Sequence, residues 1–255
     1  MLRTALCVAV LTASLPAQSI IPAKAGLVSY AGEAYIDGRP VETSSTHFSV
    51  MNDNAVLRTG IGRAEVLLGP CSAMWVEQQS ALRMVSSALS DVRLVVLHGS
   101  VIIATGEMMK GTKVTVMVAA AAAPLEAKGA YRFDADPARV KVMGGKTAVL
   151  WENKVIPLTT GRLMLFDSLA LPARFDRHNT DSFENWSDGR AEYLEDLSSR
   201  QSREIRVPAA PEPPPSSPGW GVHGTVPAVP QPVTVPPAAA CTVSGVELSS
   251  TRSRR

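Results

Sequence analysis

Three stretches of this chain share one grammar: a run rich in β-branched and apolar residues, a glycine, then alternating apolar residues. They are Val28-Ser-Tyr-Ala-Gly32-Glu-Ala34-Tyr-Ile36, Leu94-Val-Val-Leu-His-Gly99-Ser-Val101-Ile-Ile103 and Val140-Lys-Val-Met-Gly-Gly145-Lys-Thr147-Ala-Val149. Side chains alternate at period two along a strand, so residues two and four places after each glycine share a face. Glycine supplies a turn or bulge that a Cβ would oppose, and β-branched residues suit a pleated, half-buried surface. The unit predicts a corner between two strands, used repeatedly, and therefore an all-β fold.

Further short β-rich runs recur from Gly26 to about Phe166 at intervals of roughly eight to twelve residues, the spacing of a sandwich, barrel or solenoid. Ala55-Arg58, Arg63-Leu68, Ala73-Val76, Ala81-Val85, Val92-Leu97, Val101-Thr105, Lys113-Val118, Ala130-Asp134, Val140-Met143, Ala148-Trp151 and Leu163-Phe166 read as strands. Asp37-Gly38, Gly60-x-Gly62, Gly69-Pro70, Gly106, Lys110-Gly111, Gly144-Gly145 and Glu152-Asn153 punctuate them. The alanines at 119–123 favour helix by propensity, yet five residues between a valine-rich run and Pro124 cannot propagate one, so this stretch is read as strand or loop.

The two ends have a different composition. Arg3 precedes an apolar run from Thr4 to Ala17, followed by the small residues around Ala23-Lys24-Ala25. A positive start, a short apolar core and a small-x-small site describe a secretory signal peptide, and the run is too short to span a bilayer. Residues 1–25 are expected to direct export to the periplasm or beyond, with cleavage after Ala17 or Ala25. Past Arg206, eleven prolines crowd residues 208–237, and the segment 206–255 is expected to be a disordered or polyproline tail. Between these ends lie a β domain over 26–166 and a connecting segment with one helix over 167–205.

That helix is announced by Asp181 with Glu184 three places on, a capping-box-like start. Phe183, Trp186, Arg190, Tyr193, Leu194 and Leu197 then recur near helical spacing, which predicts a helix from about Ser182 to Ser199. Its aromatic face either docks on the β module or serves as a platform for a sugar. Phe183, Trp186 and Arg190 are the candidate interaction residues.

The β units also carry a resemblance. Gly32-Glu-Ala34, Leu57-Arg-Thr-Gly60-Ile-Gly-Arg-Ala-Glu65-Val-Leu-Leu, Val92-Arg-Leu-Val-Val-Leu-His-Gly99 and Arg139-Val-Lys-Val-Met-Gly-Gly145 resemble, in order, the signature of a FecR domain over about residues 26–165. The resemblance implies a solenoid-like or sandwich-like periplasmic β module, known best from regulators that relay iron-siderophore signals to a sigma factor. Those regulators carry a sigma-binding segment and a membrane span before the domain, whereas here it follows a signal peptide. The chain is more similar to exported stand-alone FecR-domain proteins, whose D-x-F-x-x-W-x-x-x-R segment is matched by Asp181, Phe183, Trp186 and Arg190.

Chemistry-bearing residues are scattered. His47, His98, His178 and His223 are isolated, so no metal site is expected. Gly145-Lys146-Thr147 ends like a P-loop but lacks its opening glycine and its helix. Asp134 and Asp136 are read as turn formers, since calcium takes six to eight oxygens. Cys71 is read as a buried free thiol, with a bridge to Cys241 as the alternative. A net charge of +2 with no basic stripe argues against nucleic acid. A catalytic group needs a partner that tunes it, and only convergence of distant residues such as His98, Asp134 and Glu65 would supply one. The expectation is a non-enzymatic envelope module, without cofactor, that binds an envelope protein or a cell-wall saccharide. The alternative is a periplasmic relay of the FecR type.

Overall fold

A computed structural model describes residues 24–204, apart from 44–47, 70, 107–111, 126–127 and 168–170. The strands are β1 (Leu27–Ala31), β2 (Ala34–Ile36), β3 (Arg39–Pro40), β4 (Val56–Thr59), β5 (Ala64–Gly69), β6 (Ser72–Val76), β7 (Ala81–Ser86), β8 (Val92–His98) and β9 (Ser100–Thr105). They continue as β10 (Val114–Val118), β11 (Ala121–Leu125), β12 (Gly129–Ala135), β13 (Ala138–Gly144), β14 (Lys146–Trp151), β15 (Lys154–Thr159), β16 (Arg162–Leu165) and β17 (Pro172–Arg174), before the helix α1 (Ser182–Glu204).

The strands form two sheets, ordered β1-β5-β6-β9-β12-β13-β16-β17 and β15-β14-β11-β10-β8-β7-β4-β2-β3. Their facing sides share one core, with Val66, Met74, Ile103, Phe133 and Val142 from the first sheet and Leu57, Leu82, Leu94, Val116 and Val149 from the second. This is a sandwich, which decides between the solenoid-like and sandwich-like alternatives.

The three glycine units have a sharper role than their sequence disclosed. Gly32 lies between β1 and β2, Gly99 between β8 and β9, and Gly145 between β13 and β14, and each pair straddles the two sheets. They are sheet-switching corners, the points at which a sandwich passes its chain from one layer to the other. At Gly99 the φ of +72° demands glycine, and a Cβ would also meet the Ser80 Oγ at 2.1 Å. The in-sheet turn between β14 and β15 does without glycine, Glu152 and Asn153 both taking positive φ angles.

Two stretches resolve as strands against weaker signals. The alanine run turns at Ala119 and pairs as β11, whose Pro124 removes a donor where the pairing to β14 is reduced to Ala122 opposite Leu150. β15 was concealed by Pro157, which an edge strand tolerates. Two expectations are corrected. Asp134 is no turn former, because it lies within β12 and is 2 % exposed. Cys71, at the tip between β5 and β6, is disulfide-bonded and not free; Cys7 and Cys241 lie outside the described residues. Ala25 is wholly buried, with its N–H donated to the Ser87 carbonyl. Residues 1–23, expected to belong to a signal peptide, together with His47, Lys110-Gly111, His223 and the proline-rich segment 206–255, also lie outside the described residues. No described helix is long and apolar enough to cross a membrane.

The outer faces of the sheets differ. α1 lies on that of the eight-stranded sheet, closing a second core of Ala73, Trp75, Ile102, Ala104, Ala130 and Met143 with Phe183 and Ala191. None of the described elements covers the outer face of the nine-stranded sheet.

Candidate interaction site at the helix and sheet junction

One row of paired residues crosses the covered face: Tyr30, Glu65, Trp75, Ile102, Arg132 and Lys141 stand opposite one another on β1, β5, β6, β9, β12 and β13. Charged side chains in such a row are tolerable only if α1 brings partners for them. It does so at two places.

At its start, Asp181 caps the helix, its Oδ1 accepting the N–H groups of Phe183 at 3.0 Å and Glu184 at 2.9 Å. The expected capping box is only half formed. Glu184 turns instead to the sheet, where its Oε1 accepts from Arg132 at 2.9 Å and Lys141 at 2.6 Å. Arg132 also binds Asp181 and, at 2.9 Å, the carboxylate of Asp134, which Arg139 holds from its other side at 2.6 Å. Burial alone would lower the Arg132 pKa, but Asp134 and Asp181 outweigh it and keep the guanidinium charged. Burial would likewise raise Asp181, yet the Glu184 N–H and the Arg132 guanidinium hold its carboxyl below the usual range.

Two turns on, Arg190 reaches down to Glu65, a wholly buried carboxylate. Glu65 accepts from Arg190 Nε and Nη2 at 2.9 and 3.0 Å, from Trp75 Nε1 at 2.9 Å and from Ser29 Oγ at 2.6 Å. The fork of an arginine on a carboxylate with further donors is the arrangement that makes a buried charge tenable.

Above this latch the aromatic residues and arginines stack. The Arg63 guanidinium lies 5.6 Å from the Phe183 ring centre and 5.2 Å from that of Trp186. Trp186 and Tyr30 are 6.0 Å apart, and Arg190 lies 5.2 Å from Tyr30 and 4.8 Å from Tyr193. The series leaves water gradually: Tyr193 is 50 % exposed, Tyr30 42 %, Trp186 and Arg190 are half-buried, and Phe183 is 1 % exposed. Of the three candidate residues, Phe183 is thus a core anchor, Arg190 a latch with one surface still in water, and Trp186 a ring between core and solvent.

Beside the helix start, a notch lined by Lys141, Met143, Phe175, Glu184 and Asp188 has a volume of about 20 Å³, enough for a water and far below a small-molecule site. Burial, with Glu184 and Glu192 nearby, pushes the Asp188 carboxyl up to about 6.

Sequence reading missed Tyr30, Arg63, Trp75, Arg132 and Lys141. The signal was present for Arg132 and Asp134, which alternate with Tyr131 and Phe133 and so had to share the opposite face of β12. Glu65 was equally conspicuous, a lone acid in the apolar run Ala64-Glu-Val-Leu-Leu68. Of the three residues weighed for catalytic convergence, Glu65 and Asp134 lie three strands apart in one sheet, each held by arginine, while His98 ends β8 at the Gly99 corner, where Ser100 binds Asp134. Among the described residues no cluster of metal-ligating side chains occurs.

No protein-family model and no curated protein matches this chain. Two crystal structures of proteins from Parabacteroides distasonis, each provisionally described as an anti-sigma factor, share a partial likeness to it. One is 15 % identical with a TM-score of 0.40, covering 48 % of this chain, and the other is 14 % identical with the same score, covering 51 %. The matches span about three-fifths of those chains, at 59 % and 60 %.

Proposed function

We propose that this chain is an exported, non-catalytic interaction module of the cell envelope, which meets a cell-wall saccharide or an envelope protein through Trp186, Tyr30, Arg190 and Tyr193. The observation that carries this reading is the half-exposed stack of rings alternating with Arg190, fixed from beneath by Glu65. Flat aromatic faces offer large contact area at small entropic cost, and a sugar ring presents an apolar face to them. Arginine adds a planar donor suited to the carboxylates of acidic saccharides and peptides. Because α1 is latched at both ends of this ribbon, little ordering remains to be done on binding. Phe183 anchors the ribbon from the core. Arg3 with its apolar run and the FecR-like order of the β units support export.

The test is co-sedimentation of the purified mature chain with insoluble peptidoglycan, beside cross-linking in native envelopes. Tyr193→Ala and Trp186→Ala are expected to lower retention by about tenfold, the weight of a lost aromatic anchor. Retention of neither wall material nor an envelope protein would overturn the proposal. So would turnover in a hydrolase panel that is lost on substituting Glu65, Asp134 or His98.

A further inference from the structure

The outer face of the nine-stranded sheet repeats the chemistry of the covered face, without the helix. Val155, Leu150, Ala122, Met117 and Val95 stand opposite one another on β15, β14, β11, β10 and β8, and the row ends on Arg83 of β7. Each points outward, because its neighbours along the strand fill the inner core, as Leu94 and Val96 do on either side of Val95. Leu150 is 46 % and Val155 68 % exposed. Beyond the row, Arg58 faces outward on β4, between the inward Leu57 and Thr59. Arg58 and Arg83 have no ion pair among the described residues, and the neighbouring Arg93 meets only the exposed Asp91.

On the covered face, a field of alanines with Ile102 and Met143 is bounded by Arg132, Arg139 and Lys141. What occupies it is a helix whose first turn carries Asp181 and Glu184 for those cations and whose Phe183 and Ala191 meet the apolar field. The uncovered face has a similar apolar field with a cationic border, in which Arg93 meets Asp91 but Arg58 and Arg83 have no acidic partner among the described residues. We propose that it docks an amphipathic helix of a partner protein, carrying acidic side chains at its N-terminal turn, in the manner of α1 on the opposite sheet. This extends the interaction-module reading to a second surface that shares no residue with the aromatic ribbon.

Size and chemistry favour this occupant. Five strands at about 4.8 Å and five residues at about 3.4 Å give a field of roughly 400 Å². A second copy would offer this face its own Arg58 and Arg83, whereas a helix with acidic side chains offers those arginines partners. A membrane surface is engaged through protruding tryptophan, phenylalanine or leucine, whereas the centre of this field is Ala122, Met117 and Val95, short or half-buried. A helix laid across it meets both the apolar row and the arginines.

The experiment titrates the full mature chain into a fluorescent peptide of residues 180–199, the one helix start shown to fit such a field, and reads anisotropy. Binding is expected, weakened by about tenfold or more when Asp181 and Glu184 of the peptide are changed to lysine, the scale of a lost close charge pair. Arg83→Glu combined with Met117→Glu in the protein should weaken it equally, with melting followed alongside to show that the fold persists. Tyr193→Ala in the protein should leave it intact, which separates this surface from the saccharide site. Absence of binding up to about 1 mM peptide, indifference to the charge reversal, or indifference to the double variant would each overturn the proposal. Capture of phosphatidylglycerol vesicles through Arg83 and Met117 without peptide binding would assign the face to a membrane and overturn it as well.

Discussion

The two outer faces of this sandwich start from similar material and end differently. Both present apolar residues bordered by basic side chains. On one, α1 supplies Asp181 and Glu184 for the cations and Arg190 for the single buried acid, so that every charge in the row from Glu65 to Lys141 has a partner. On the other, no described element covers the row from Val155 to Arg83. The difference teaches that sheet patterning alone does not finish a face; the element that covers it does, and its charges must match those already in the strands.

The largest expected effect lies at Arg190. Removing it leaves Glu65, with 0 % of its side chain exposed, without its cation. Breaking a buried pair by deleting one partner costs about 3–5 kcal/mol. Arg190 keeps 23 % of its own side chain in water, so urea denaturation of Arg190→Ala should show a loss near the lower end, about 3 kcal/mol. The same truncation at Arg83 should stay within about 0.5 kcal/mol. A comparable loss at both sites would erase the distinction between the faces.

Phe183→Ala comes next, with a loss of about 3 kcal/mol from a ring wholly enclosed by Trp75, Ile102 and Ala104. Trp186→Ala should cost about half as much, its ring being half in water. Chemical denaturation of the pair separates anchor from rim; equal losses would place both rings in the core.

How much of this was legible beforehand follows from range. Local signals were sound: the glycine corners, most strands, the Asp181 cap and the helical spacing of Phe183, Trp186 and Arg190 all rest on neighbours in sequence. What stayed hidden was which sheet each strand joins. Gly32, Gly99 and Gly145 mark corners, but period-two alternation looks the same whether the next strand pairs with the last or crosses to the other layer. The partners of Arg190 were hidden for the same reason, since Glu65 is 125 residues away. β15 was lost to a real conflict, Pro157 within a strand, which only an edge position resolves.

A smaller effect depends on pH. Burial raises the Asp188 carboxyl to about 6, above its ordinary 3.8, so the folded chain holds this proton longer than the unfolded one. Stability from this group is therefore present below about pH 4, declines as pH rises between 4 and 6, and is absent above. Asp188→Asn should gain about 1 kcal/mol at pH 7.5, allowing for solvent screening of a half-buried group, with the gain closing towards pH 4. Asp181 runs in the opposite sense: its lowered pKa contributes stability above its ordinary value of 3.8 that is lost as pH falls below it. A gain from Asp188→Asn that persisted unchanged at pH 4 would contradict the titration and point to packing.

Thiol labelling reads whether α1 seals one outer face while no described element covers the other. Ala104 is 2 % exposed beneath α1, whereas Leu150 is 46 % exposed on the uncovered face. In the purified chain, a cysteine replacing Leu150 should react with a maleimide at the rate of a free thiol. One replacing Ala104 should react only through opening of the helix, slower by about a hundredfold or more, as a local opening near 3 kcal/mol dictates. Labelling of the two positions at rates within a factor of a few would show that α1 does not hold its sheet, and the account would fail.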